Sequence, residues 1–193
     1  MDIKKDITKD TSLQEIKKLS PPCRCVACSH PCTFGSGFLI NEDHPRLASF
    51  LNVSEQELNE RYLEPEEKFN TTLWRPKIKK NPYGYGQCIF YDAVRGCTVH
   101  EAKPTHCSVA TGCKEYGEDI NIWFHVNYFL DPDDPESIRQ FATYLTSGGK
   151  TIPGASLGDL APDALIDDIR SYKILTRKDL KNARENLREE KKK

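Results

Sequence analysis

The sequence predicts an α+β fold, small and irregular, with several short helices around one short hairpin. Three observations lead there. Apolar residues recur at helical spacing in separate short stretches, most of them opened by a capping residue. Two short runs, Cys88-Ile-Phe-Tyr and Cys97-Thr-Val-His, flank a turn-prone segment. The rest is punctuated by 12 prolines and 11 glycines, which keep any element short.

The elements follow in chain order. Ser12 and Glu15 have capping-box spacing, and Leu13, Ile16 and Leu19 continue at helical steps until Pro21-Pro22. Residues 1–22 therefore read as a loose N-terminal arm with one short helix. Residues 41–51 read as a helix with Leu47, Phe50 and Leu51 on one face. Ser54 and Glu57 open another, carrying Leu58 and Tyr62, and residues 64–86 read as irregular. The hairpin pairs Cys88–Tyr91 with Cys97–His100 across a loop at 92–96. Residues 101–117 read as irregular, and the aromatic run from Trp123 to Phe129 as core. Asp134 caps a helix with Pro135 in its first turn and Ile138, Phe141, Ala142 and Leu145 inside, ended by Gly148-Gly149. Residues 150–161 read as a loop. Pro162 opens a helix with Leu165, Ile166 and Ile169, and Thr176 with Asp179 opens a last one with Leu180, Ala183 and Leu187. Three parts result: the arm, a central domain over 23–130, and a helical extension over 131–193.

Composition narrows the function. The chain is 37% hydrophobic and 30% charged, a thin supply of core for 193 residues. Its formal net charge is −1, so no overall field selects nucleic acid or membrane. The basic end from Lys173 to Lys193 reads as a solvated helix end whose lysines complement the helix dipole. No apolar run approaches the about 18 residues of a membrane span. The polar start of the chain lacks the apolar middle of a secretory signal, so the expected compartment is the cytoplasm.

Eight cysteines in a reducing compartment point to metal or redox work rather than to disulfides. Cys23-x-Cys25-x-x-Cys28-x-x-x-Cys32 places four thiols in ten residues. A two-residue spacer lets one tight turn aim two sulfurs at one ion. Cys88, Cys97, Cys107 and Cys113 follow at longer spacings. In the expected hairpin Cys97 lies beside the turn and Cys88 near the other end, so those two need not reach the same ion. Thiolates suit zinc, iron–sulfur and copper(I) alike, and eight could make two four-ligand sites or one with others left over. His30, His100 and His106 lie among the cysteines and read as supporting or surface residues; His44 and His125 read as structural. Asp133-Asp134 and Asp167-Asp168 read as caps and solvated pairs. A phosphate loop, a dinucleotide fingerprint, an HExxH pair and a Gly-x-Ser-x-Gly elbow are all missing.

Residues 23–130 resemble the zinc- or iron-chelating CxxCxxCC family, also described as YkgJ-like. The resemblance rests on Cys25-x-x-Cys28, the helix around Leu47–Leu51, Cys88-Ile-Phe-Tyr-Asp leading to Gly96-Cys97-Thr-Val-His, and Glu101-Ala-Lys-Pro-Thr-His-Cys107. The chain departs from the pattern in its displaced Cys32, its added Cys23 and in Lys103, where the family has arginine. The resemblance implies metal binding and no particular reaction. It points to Cys25, Cys28, Cys88, Cys97 and Cys107 as ligands; with Cys23 and Cys32 from the N-terminal cluster and Cys113 close behind Cys107, all eight cysteines are candidates.

The leading expectation is thus a metal-stabilised domain in which zinc or iron supplies what the core lacks, with zinc the first choice of cofactor. A structural zinc site contributes about 10–16 kcal/mol, comparable with a whole domain's stability. The alternative is a redox protein or enzyme carrying iron or an iron–sulfur cluster. A nucleic-acid module is disfavoured by the near-neutral charge. The expected partner is a metal ion, with no membrane and no nucleic acid.

Overall fold

The computed structural model describes residues 6–109, 113, 115–149 and 157–192. It is an α+β fold in which helices dominate and, among the described residues, the strands form three separate two-stranded antiparallel pairs. Among the described residues no helix is long and apolar enough to cross a membrane.

Helix α1 (Leu13–Leu19) starts as its sequence dictates, with Ser12 and Glu15 capping each other's backbone. It is no loose arm. Ile16 is fully buried, and with Ile7 it joins Val109, Ile120, Trp123, Phe124, Phe129 and Phe141 in the main core. The Trp123 indole donates to the Thr11 carbonyl at 2.9 Å, which fixes the segment before α1 across this core. The next helix, α2 (Val26–Ser29), is a single turn. Helix α3 (Asp43–Leu51) buries Leu47 and Ala48, but Phe50 is exposed rather than on the inner face. Position 50 lies about a sixth of a turn from Leu47, on the side away from the buried Ala48, and faces the surface. Helix α4 (Glu55–Tyr62) is capped by Ser54, which accepts from the Glu57 amide.

The segment 64–86 is ordered, contrary to the irregular reading. Strands β1 (Leu63–Lys68) and β2 (Thr71–Pro76) pair from Leu63↔Pro76 to Lys68↔Thr71. Their two-residue loop is Phe69-Asn70, with φ of 51° and 57°. This is the turn geometry that matches strand twist, reached without glycine. Phe69 sits in the main core, and Asn70 binds Asp134 and Gln140, so tertiary contacts hold a backbone that its residue types disfavour. The strands escaped notice because β1 reads Leu-Glu-Pro-Glu-Glu-Lys, with charge where a strand pattern would show apolar residues.

Strand β3 (Ile78–Lys80) then pairs with β4 (Gly86–Cys88), and β5 (Tyr91–Asp92) with β6 (Gly96–Cys97). The expected hairpin therefore shrinks to Tyr91↔Cys97 and Asp92↔Gly96, and Cys88 belongs to the pair before it. The Asp92 carboxylate accepts from the Val94 and Arg95 amides, and Gly96 takes φ +74°, so the loop closes locally. Helix α5 (Thr105–Val109) replaces part of the stretch expected to be irregular. Helix α6 (Gly117–Phe124) runs into a π-helical turn (His125–Phe129) through the aromatic core.

Helix α7 (Pro135–Thr146) buries Ile138, Phe141 and Ala142, as its pattern required, and is capped by Asp134. Of the expected loop over 150–161, residues 150–156 lie outside the described residues, and 157–160 form one helical turn, α8 (Leu157–Leu160). Helices α9 (Asp163–Arg170) and α10 (Arg177–Glu190) start at Pro162 and at the reciprocal Thr176–Asp179 cap. Leu165, Ile166, Ile169 and Leu180 close a C-terminal core against Ile138. A third core, around Leu39, Leu47, Leu58, Leu63, Phe90 and Val99, also takes in Cys88.

Candidate metal centre

All eight cysteines are free thiols, and they fall into two groups of four. The first group is compact. The Sγ atoms of Cys23, Cys25, Cys28 and Cys113 all lie within 4.8 Å of one another. Cys28 and Cys113 are 3.0 Å apart, and Cys113 and Cys23 3.5 Å. Four sulfurs around one tetrahedral ion at ~2.3 Å stand ~3.8 Å apart, so this group has the right size to hold one metal ion.

Local chemistry builds three quarters of it. Pro21-Pro22 keep the chain extended after α1. Cys25 precedes α2 with φ −71° and ψ 164°, and its carbonyl accepts from the Cys28 and Ser29 amides, both at 3.1 Å. That tight turn puts the Cys25 and Cys28 thiols on one side. Cys113 arrives from the connection between α5 and α6.

Little else holds this turn. No residue from 21 to 31 is buried, and Val26 is 83% exposed. Its links to the domain include His100 Nε2 to the Cys23 carbonyl at 3.1 Å and the exposed Arg24–Glu101 pair at 3.9 Å. An exposed pair of that kind contributes at most about 1 kcal/mol. The thiols are also set for stepwise deprotonation. The Cys25 amide and the Cys25 and Cys113 thiols hold Cys23 down to about 6. The Cys28 thiol beside it pushes Cys113 up to about 12. Once Cys23 is a thiolate its neighbours resist ionisation, until a cation arrives to neutralise them.

The second group is Cys32, Cys88, Cys97 and Cys107. All four line one cavity of about 880 Å³, whose lining also includes Cys23 and Cys28. Cys32 comes from the 3₁₀ turn His30–Thr33, Cys88 from the end of β4, Cys97 from β6 and Cys107 from α5. Backbone bonds hold these pieces together. The Gly86 amide donates to the Phe34 carbonyl at 3.3 Å, and the Thr98 amide to the Phe90 carbonyl at 2.8 Å. Cys88 and Cys97, which nothing in the sequence placed at one ion, both line this cavity. Cys88 pairs across from Ile78, in the strand pair that precedes the one carrying Cys97.

Burial governs these thiols. It pushes Cys88 up to about 12 and raises Cys32, Cys97 and Cys107. Cys107 retains some exposed area only because it faces the cavity; protein packs around its other sides.

Helix α5 is anchored by Asp43, a residue that sequence reasoning passed over. Its fully buried carboxylate accepts from the Ile40 and Thr105 amides, the Thr105 hydroxyl and Arg46. Arg46 also donates to the Lys103 carbonyl at 2.8 Å. The signal was present, since an aspartate three residues before an arginine opens α3, but its partner at 105 lies 62 positions away.

The histidines are not ligands of the compact group. His106 uses both ring nitrogens on protein: Nδ1 accepts from the Phe38 amide at 3.3 Å and Nε2 meets Asn121 Oδ1 at 3.0 Å. Burial holds it neutral, at about 4. His100 bonds to Cys23 and approaches Lys103, and His30 is exposed beside Phe34. Comparison with protein-family models, curated proteins and solved structures finds nothing that matches this chain.

Proposed function

We propose that the protein binds zinc at Cys23, Cys25, Cys28 and Cys113, and that the ion acts as a structural clasp. The convergence of four thiols within 4.8 Å carries this reading. The clasp joins the turn at 23–28, which buries no side chain of its own, to a residue 85 positions beyond Cys28. The resemblance of residues 23–130 to a zinc- or iron-chelating family supports the same chemistry. Zinc suits the site because it accepts four thiolates in a tetrahedron without redox demands.

Cobalt(II) tests this directly, because tetrahedral thiolate cobalt has intense visible bands. One equivalent per chain is expected to bind and to be displaced by zinc. Cys28→Ser with Cys113→Ser is expected to abolish those bands. Undiminished cobalt binding in that double variant would overturn the assignment.

A further inference from the structure

We propose that the protein binds single-stranded nucleic acid on an exposed ladder of aromatic rings beside lysine, built by the turn His30–Thr33 with Phe34 and by the β3–β4 hairpin. The inference goes beyond the clasp and uses none of the thiols.

The rings are the first argument. Tyr83 is 83% exposed, Phe34 51% and Tyr85 46%. They are not scattered. The ring centroids of His30 and Phe34 stand 5.0 Å apart, those of Phe34 and Tyr85 6.0 Å, and those of Tyr85 and Tyr83 6.2 Å, with the two tyrosines only 18° from parallel. One continuous chain of ring contacts therefore crosses two segments that are far apart in sequence. A contiguous apolar surface of this kind marks an interaction site. Bases stack on such rings whatever their sequence, because every base has a π-face.

The backbone holds the ladder in place before any ligand arrives. The Gly86 amide donates to the Phe34 carbonyl at 3.3 Å and so ties the turn to the hairpin. A Cβ on Gly86 would stand 1.9 Å from the Lys79 carbonyl oxygen, so only glycine allows that approach. Asn81 closes the loop. Its side chain accepts from the Tyr83 amide at 2.8 Å, its own amide donates to the Tyr85 carbonyl at 2.8 Å, and Gly84 takes φ +84°. Rings set in this way lose little freedom on binding.

Charge is the second, independent pointer. Residues 16–41 and 68–91 contain the whole ladder. They carry eight lysines and arginines and no aspartate or glutamate, in a chain with 29 acidic residues. The near-neutral total that argued against nucleic acid conceals this segregation. Lys79 pairs opposite Gln87, and strand alternation puts it on the face of Tyr85. It is exposed and, among the described residues, makes no ion pair. Lys80, on the opposite face, lies 3.8 Å from Glu64, and Arg75 is held by Glu64 and Glu66. Lys79 is thus the hairpin's uncompensated charge beside the rings. A base and its phosphate use both features, whereas a neutral sugar or a proline-rich peptide would use the rings alone.

Fluorescence anisotropy tests the proposal, with the full chain supplied with zinc and with short end-labelled oligothymidine and oligouridine as probes. Binding is expected at low salt. It should weaken as salt rises and exceed the binding of a duplex of equal length, whose base faces are stacked inside. The strand bound more tightly assigns the surface to DNA or to RNA. Tyr83→Ala with Tyr85→Ala should weaken binding by at least about tenfold and leave the circular dichroism unchanged, since both side chains are exposed. Lys79→Gln should reduce the slope of log affinity against log salt by about 0.7. Absence of binding to both strands at low salt overturns the proposal, as does a preference for the duplex or an unchanged affinity in the tyrosine variant. Tyrosine-dependent binding of a proline-rich peptide or an oligosaccharide, with none of either strand, would overturn it in favour of that partner.

Discussion

The two cysteine groups are built by opposite means. The first is assembled on an exposed turn with no buried side chain, and its sulfurs crowd within 4.8 Å. The second is assembled by four elements of a packed core, and its sulfurs stand apart around a cavity. In the first, an ion can hold the chain. In the second, the chain holds the sulfurs whether or not a ligand is present. The difference teaches that cysteine count alone says little about a centre's role; what each turn is packed against says more.

The sharpest way to break this comparison is to undo the packing behind the second group. Asp43→Asn removes a buried charge that holds α5, and unfolding in urea is expected to show a loss of about 3–5 kcal/mol. Cobalt binding at the first group should persist at temperatures where the variant stays folded. An equal loss at both groups would show that they are one unit.

Acid tests the same core. His125 is 3% exposed and held down to about 3, first by burial and then by Lys68 and His106. Its folded value lies below the ordinary one near 6.5. Its contribution is therefore complete above about pH 6.5 and lost as pH falls toward 3, at no more than about 1.4 kcal/mol per pH unit. Thermal denaturation of the metal-free chain should show that slope, and His125→Phe should flatten it. A slope unchanged in the variant would assign the acid sensitivity to other groups.

Gly37→Ala is a smaller probe, aimed at one thiol of the second group. The new Cβ would meet Cys107 Sγ at 2.5 Å and the Cys107 amide nitrogen at 3.1 Å. A cost of about 1–3 kcal/mol is expected from overpacking, measurable in urea, with zinc stoichiometry at the clasp unchanged.

The mildest probe reads thiol reactivity without mutation. Thiolates, not thiols, react. In the metal-free chain at neutral pH, iodoacetamide should modify Cys23 first, because its neighbours hold it near 6, and Cys88 and Cys107 last. Mass spectrometry of peptides would give the order. Zinc should protect Cys23 and leave the rates at Cys88 and Cys107 little changed; protection of all of them together would merge the two groups.

Much of the fold was legible because its signals are local. The caps at Ser12, Ser54, Asp134 and Thr176 each act over two or three residues, and all four are formed. The apolar faces of α7 and α9 follow from spacing alone. The β1–β2 pair was hidden because its residues are charged and its Phe69-Asn70 turn is held by contacts to α7 and the core. Phe50 fell outside the core because the buried face of α3 runs through Leu47 and Ala48, and Phe50 lies on the far side of Leu47 from Ala48.

For the site, the sequence by itself determined the chemistry and the tight Cys25-x-x-Cys28 turn, since a two-residue spacing acts within one turn of backbone. It also marked all eight cysteines as candidates. Only the tertiary structure decided how they divide. It sent Cys113 to join Cys23 across 90 positions and sent Cys32 away from its near neighbours, toward Cys88, Cys97 and Cys107. The physical reason is that neighbours along a chain share a turn, whereas partners across a chain are chosen by which core closes between them.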